Sequence, residues 1–206
     1  MQAITDLIMY FQKGGLVMWP LLACSITVIA IAIERFIYYK SVDSGAAFAA
    51  RYCAAVRSGD FVVATELARK GSGQCAQMLA DVAAVAGGKA EKSAFLESRA
   101  GIFMATLRDK LDYLGIIVTM SPLLGLLGTI VGMIGAFSIF NVEAGAPMAI
   151  TGGIGEALIA TATGLCVAIL SLCAHSYFAH RMDNMITDME QCFSALLEAE
   201  TRRARS

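Results

Sequence analysis

The chain has 206 residues, of which 57% are hydrophobic and 16% charged, with 16 Lys and Arg against 17 Asp and Glu and a mean hydropathy of +0.65. That length holds one ordinary domain or one compact membrane unit. The hydrophobicity excludes disorder, the three prolines exclude collagen, and the balanced charge supplies no global field for nucleic acid. A soluble domain averages about 25% charged residues, so the apolar excess either forms a buried core or faces lipid.

The distribution of charge decides between these. Residues 14–33, between Lys13 and Glu34, form 20 positions without a formal charge; residues 113–142 form 30 more, and residues 157–180 another 24 with the histidines neutral. About 20 predominantly apolar residues at 1.5 Å rise cross a bilayer, so the pattern predicts three transmembrane helices. Ala30-Ile31-Ala32 resembles a signal-peptide cleavage site, but the apolar run is longer than the usual 7–15 residues and Asp6 offsets Lys13 ahead of it. An uncleaved first span is the expectation.

Basic residues orient the spans. The 79 residues from Glu34 to Asp112 carry eleven Lys and Arg, the tail carries Arg181, Arg202, Arg203 and Arg205, and the linker near 141–153 carries none. The positive-inside rule puts the 79-residue segment and the tail in the cytoplasm. The expected division is a short periplasmic segment at 1–15, spans at 16–37, 113–140 and 149–178, a cytoplasmic helical region at 38–112, a periplasmic linker at 141–148 and a cytoplasmic helix and tail at 179–206.

Between the first two spans, Gly and Ser punctuate helical pieces over Ser44–Val56, Asp60–Lys70 and Gln74–Ala86. From Lys89 the pattern predicts one helix running unbroken into the second span, and His180–Glu200 is again helical in pattern. The fold class expected is all-α: a polytopic membrane protein whose long helical extensions form a cytoplasmic bundle. The six cysteines read as small buried hydrophobes, since none falls in an external segment. His175 and His180 read as interfacial residues without metal-ligand spacing. No cofactor or metal is expected, and neither a nucleophile–base pair nor a phosphate loop suggests an enzyme.

In the second span Gly125, Gly128, Gly132 and Gly135 recur at helical spacing and predict close helix packing. Thr129 lies beside that stripe, where its hydroxyl either faces a pore or simply bonds the carbonyl of residue 125 or 126. In the third, Glu156 is the only formal charge between Glu143 and Arg181. A helix starting at Gly153 would put Glu156 in the first turn, where the dipole favours an anion. A start at Ala149 would put it two turns inside, where an isolated carboxylate is costly and calls for a wet cavity or protonation. Thr163 is seven residues on and shares its face; Thr161 lies about 140° round the helix. Three spans are few for a carrier, so conduction would need a ring of copies or a partner.

These segments carry a resemblance. Gly14-Gly15-x-x-Met18-Trp19-Pro20, Ile33-Glu34-Arg35, the run from Pro122 to Met133 and the run from Gly155 to Leu165 are similar to those of the ExbB/TolQ family of inner-membrane proton-channel proteins, in the MotA/TolQ/ExbB superfamily. The resemblance covers nearly the whole chain and sits closest to ExbB-like biopolymer transport proteins. It implies a homopentamer in the bacterial inner membrane, N-terminus periplasmic and C-terminus cytoplasmic, whose second and third spans line a pore. That pore would hold an ExbD/TolR-like partner, as a dimer, and proton motive force would pass to a TonB/TolA-like periplasm-spanning protein. It further implies that Thr129, Glu156 and Thr161 are the pore residues, with protons as the coupling ion; Thr163 is added from its position. The sequence ahead of the first span is short for an ExbB protein, and the second linker identifies no client. Tol-type envelope maintenance, and a structural scaffold in which Glu156 only caps a helix, stay open. A flagellar stator is disfavoured, since MotA is longer and has four spans.

Overall fold

A computed structural model describes residues 14–85, 87–142 and 147–203. The chain is all-α, and the described residues form seven helices: α1 Met18–Val42, α2 Ala46–Arg57, α3 Phe61–Lys70, α4 Gln74–Val82, α5 Lys89–Arg108, α6 Leu111–Val142 and α7 Pro147–Arg203. Three stretches, in α1, α6 and α7, are long and apolar enough to cross a membrane. The expected N-terminal segment lies outside the described residues except for Gly14 and Gly15, and so do residues 143–146 of the expected linker and Arg205 of the tail.

The chain divides into two compact units, residues 1–33 with 111–176 and residues 34–110 with 177–206. The first holds the apolar stretches and is packed inside out relative to a soluble protein. Ala136, Ala157, Ala160 and Ser171 are buried, while Ile26, Ile29, Leu123, Leu126, Ile130, Leu158, Ile169 and Leu170 are exposed. In water so much exposed aliphatic surface would drive aggregation. In lipid it costs nothing, and small residues inside let backbones touch. Val17, Met18 and Leu21 form a buried apolar cluster with Leu124 packed on it.

The second unit is built conventionally. Asp60 caps α3 by accepting from the Val63 N–H at 3.1 Å, and the Glu91 carboxylate reaches back to the Gly88 N–H at 2.9 Å at the start of α5. Gly73 enters α4 at φ +87° with no room for a Cβ beside Ser44, whose hydroxyl accepts from the Ala76 N–H. Only glycine meets both demands at this turn. Along α7 the buried positions Phe178, Met182, Met185, Met189, Cys192, Ala195 and Ala199 recur three or four apart and form one apolar stripe. Ion pairs Arg181–Asp43 and Lys92–Glu200, at 2.9 and 2.7 Å, flank this core.

Three local expectations change. The run from Lys89 is not one helix: α5 stops at Arg108 and α6 starts at Leu111. A buried cap sits at the break. Arg35 Nη1 donates to the Thr106 and Leu107 carbonyls at 3.0 and 3.5 Å, and the Tyr39 hydroxyl donates to Leu107 at 3.0 Å. Carbonyls near the helix end are thereby satisfied from another helix. Burial pushes the Tyr39 phenol up to about 12, so it stays a donor. The piece beginning at Gln74 ends at Val82 rather than Ala86, which lies outside the described residues. Cys53, Cys75 and Cys192 are buried as expected, but Cys166 and Cys173 are exposed and Cys24 is half-buried. On an apolar helix face turned outward, a thiol suits lipid as well as a methyl group does.

Candidate functional site

The site is built on the antiparallel pairing of α6 with α7. Where a Cβ at Gly125 would sit, the Cα of Thr161 is 3.1 Å away and the carbonyl of Ala160 3.2 Å. At Gly128 the nearest atom is the Ala160 methyl, and at Gly132 it is the Gly153 carbonyl. From α7, Gly153 meets Ala136 and Gly132, while a Cβ added at Gly164 would lie 2.6 Å from the Ser121 carbonyl oxygen and 3.0 Å from Gly125 Cα. The Ser171 hydroxyl donates to the Leu114 carbonyl at 2.9 Å in the same register. Paired residue numbers sum to nearly the same value along the whole contact, as two straight antiparallel helices require. Gly135 is different: among the described residues a Cβ there meets nothing within 4 Å.

Glu156 does not cap its helix. Because α7 starts at Pro147, where a missing N–H and a fixed φ suit the first helical turn, the carboxylate sits about two and a half turns inside. There it is half-buried and lies against the backbone of Gly15. A side chain at Gly15 would land on the carboxylate, and the φ of +72° at this residue independently favours glycine. Gly14 packs in the same way on Met18 and Ile159. The pair of glycines ahead of α1 therefore lets the chain lie close to α7 beside Glu156 and Ile159. Among the described residues no hydrogen bond or ion pair reaches this carboxylate.

The hydroxyls behave differently from one another. Thr161 Oγ1 donates across the helix pair to the Gly125 carbonyl at 3.1 Å. Thr129 and Thr163 donate along their own helices, to Leu126 at 2.6 Å and Ile159 at 2.8 Å. None of the four residues Thr129, Glu156, Thr161 and Thr163 hydrogen-bonds to another. Ser121, fully buried beside Gly164, has no hydrogen-bond partner for its hydroxyl among the described residues.

Several contributors are absent from the expected set. Gly153, Ala157, Ala160 and Gly164 make the α7 half of the seam, and their spacing of four, three and four was a readable sign of it. Gly14 and Gly15 had no such sign, because nothing local says which carboxylate a glycine will face. No group of three or more His, Cys, Asp or Glu side chains among the described residues is placed to hold a metal ion.

Comparison with known proteins follows the same lines. Residues 71–191 match the model of the MotA/TolQ/ExbB proton channel family. The chain is 33% identical over 168 residues to the biopolymer transport protein ExbB-like 1 of Synechocystis sp., covering 79% of this chain and 66% of that protein. It therefore spans just under two thirds of that relative's length. It is 27% identical over 186 residues to the biopolymer transport protein exbB1 of Vibrio cholerae, covering 87% and 82%. It is 36% identical over 81 residues to the Tol-Pal system protein TolQ of Pseudomonas aeruginosa, covering 39% and 35%.

Proposed function

The chain belongs to the MotA/TolQ/ExbB proton channel family, and we propose that it is the proton-channel and stator subunit of an inner-membrane motor. On this reading copies of the chain assemble as a ring, a homopentamer, with α6 and α7 toward the centre. The ring encloses the membrane helices of an ExbD/TolR-like partner, and proton motive force is passed to a TonB/TolA-like protein for outer-membrane uptake. The N-terminus lies in the periplasm and residues 38–112 and 179–206 lie in the cytoplasm. Members of the family are channel and stator subunits rather than enzymes.

One observation carries the reading: a lone carboxylate inside an apolar helix, with no ion pair among the described residues and the α6–α7 seam beside it. An uncompensated carboxylate in hydrocarbon is retained only at a cost of several kcal/mol. Water or a partner's polar group against Glu156 removes that cost, and both are available at the wall of a pore. Thr129 and Thr161 then offer hydroxyl lone pairs to pore water, with Thr163 sharing the face of Glu156. Gly125, Gly128 and Gly132 hold the two helices rigidly together behind that wall, and Gly135 is left for a neighbouring copy.

The similarity to a TolQ over part of the chain supports Tol-type envelope maintenance as the second client assignment. A structural scaffold without proton coupling is the class alternative, and the self-satisfied hydroxyls of Thr129 and Thr163 favour it. Proton flux into proteoliposomes holding the chain and an ExbD-like partner separates the readings. Glu156→Gln and Thr129→Ala are expected to lower flux toward that of protein-free vesicles while the ring keeps its mass. Unchanged flux in both variants, or flux that persists without the partner, would refute the channel reading.

A further inference from the structure

Within the second unit, a cavity of about 290 Å³ is lined by Phe36, Tyr39, Lys40, Tyr177, Phe178 and Arg181. Its walls come from the ends of the first and third apolar stretches, where each passes into the second unit. Phe36 lies three residues beyond Ile33, and Tyr177 one residue beyond Ser176. Positive-inside bias puts both places at the same membrane face. Aromatic and basic side chains at that level are the groups that straddle acyl chains and headgroups.

The cavity's chemistry is specific. Tyr39, Phe178 and Tyr177 form a chain of edge-on rings, with centroids 5.6 and 5.2 Å apart. Tyr39 has given its hydroxyl to Leu107 and presents only its ring. Phe36 and Tyr177 are 55% and 50% exposed, large apolar surfaces at the rim. Arg181 gives Nη2 to Asp43, which leaves its other guanidinium nitrogens for another acceptor. Lys40 is exposed and makes no hydrogen bond or ion pair among the described residues. One ion pair and one spare cation over an aromatic floor make a net positive, amphipathic cavity.

We propose that this cavity binds the phosphodiester headgroup of an anionic phospholipid of the cytoplasmic leaflet. Lys40 and the free edge of Arg181 take the phosphate oxygens, and Phe36 and Tyr177 take the glycerol and upper acyl chain. Basic pockets between membrane helices on the cytoplasmic side recognise lipid headgroups in this way. A free phosphate would use the cations but leave the aromatic rim unpaid in contacts, so the intact lipid is the better occupant.

The test uses the full chain, delipidated in detergent and titrated with phosphatidylglycerol, phosphatidylcholine or inorganic phosphate, with retained lipid counted by native mass spectrometry. Wild type is expected to retain phosphatidylglycerol in preference to phosphatidylcholine and to ignore phosphate. Lys40→Ala, at an exposed position, should fold normally and lose about fivefold of that preference, the worth of one basic group at a charged surface. Lys40→Glu should lose more. Equal retention of the two lipids by wild type, displacement by phosphate, or full preference in Lys40→Ala would each overturn the proposal. So would a Lys40→Ala variant whose only change is in oligomer mass, because a second copy would then be what covers the cavity.

Discussion

Adding one methyl group at three glycines tests the α6–α7 seam. In a helix interior, Gly→Ala gains about 1 kcal/mol of propensity where there is room. Gly135→Ala has room, with nothing among the described residues within 4 Å of the new Cβ, and should be neutral or stabilising by up to that amount within the single chain. Gly128→Ala puts its methyl 2.5 Å from the Ala160 methyl, and Gly164→Ala puts its methyl 2.6 Å from the Ser121 carbonyl oxygen. Carbon atoms rest about 3.5–4.0 Å apart, so each variant forces the helices roughly 1 Å apart. A backbone carbonyl cannot rotate away, which makes Gly164 the harder case. Overpacking of this kind costs about 1–3 kcal/mol, partly offset by the propensity gain. The expected order of stability is therefore Gly135→Ala, wild type, Gly128→Ala, Gly164→Ala, with about 2 kcal/mol between the ends. Far-UV circular dichroism of thermal unfolding in one detergent reads this out, and by the scaling for chains of this size about 2 kcal/mol is a Tm difference of roughly 4–8 °C. If Gly164→Ala and Gly135→Ala melt together, the seam is not where the chain draws its stability. A Gly135→Ala variant that is normal as a monomer but fails to form rings would assign Gly135 to the contact between copies.

Two further outcomes bear on the second unit. Burial, with the Asp43 charge second, holds the Asp188 carboxyl above the usual carboxylate range, so the folded state holds its proton to higher pH than the unfolded chain does. Stability from this group is complete below about pH 3.9 and is lost as pH rises through the folded value; Asp188→Asn should therefore raise Tm at neutral pH and converge with wild type in acid, and a constant offset at all pH values would contradict it. Arg35→Met strips two bonds from helix-end carbonyls and the 2.8 Å pairing with Glu34, which predicts a loss of about 2–4 kcal/mol in denaturant unfolding; a loss under about 0.5 kcal/mol, the scatter of ordinary surface substitutions, would mean that the cap is decorative.

Helices and spans were legible because their signals are local. Charge-free runs longer than a bilayer is thick, Asp60 ahead of an apolar run and glycines between helices each act within a few residues. The break between Arg108 and Leu111 was not legible. The group that meets the carbonyls there is Arg35, more than seventy positions earlier, and nothing local announces it. The α6 glycine stripe was readable by spacing, yet spacing could not say that Gly135 stands apart from Gly125, Gly128 and Gly132. The seam continues through Ala136, which meets Gly153, and so passes Gly135 by one helical position. Glu156 stood out as a lone charge, but whether it caps a helix turned on the start at Pro147. Its glycine neighbour, at position 15, shares no periodicity with it.

The hydroxyl bonds limit what this chain can do for a proton on the proposed reading. A threonine hydroxyl has one hydrogen to give and two lone pairs to receive. Thr129, Thr161 and Thr163 have each given theirs to a backbone carbonyl. Toward water in a pore they can accept but not donate, unless a bond of 2.6–3.1 Å is first broken. A wall of acceptors solvates a hydronium ion or orders water, while passing a proton onward requires a group that both takes and returns one. Among the four pore candidates only Glu156 is such a group, and a single exchangeable site does not make a relay. On that reading the second site is another copy of Glu156 around the ring or a group of the enclosed partner. A partner that rotates within the ring would meet these carboxylates one after another. Replacing Glu156 in a fraction of the copies should then lower flux more steeply than in proportion to the copies replaced, whereas independent pores would lose it in proportion.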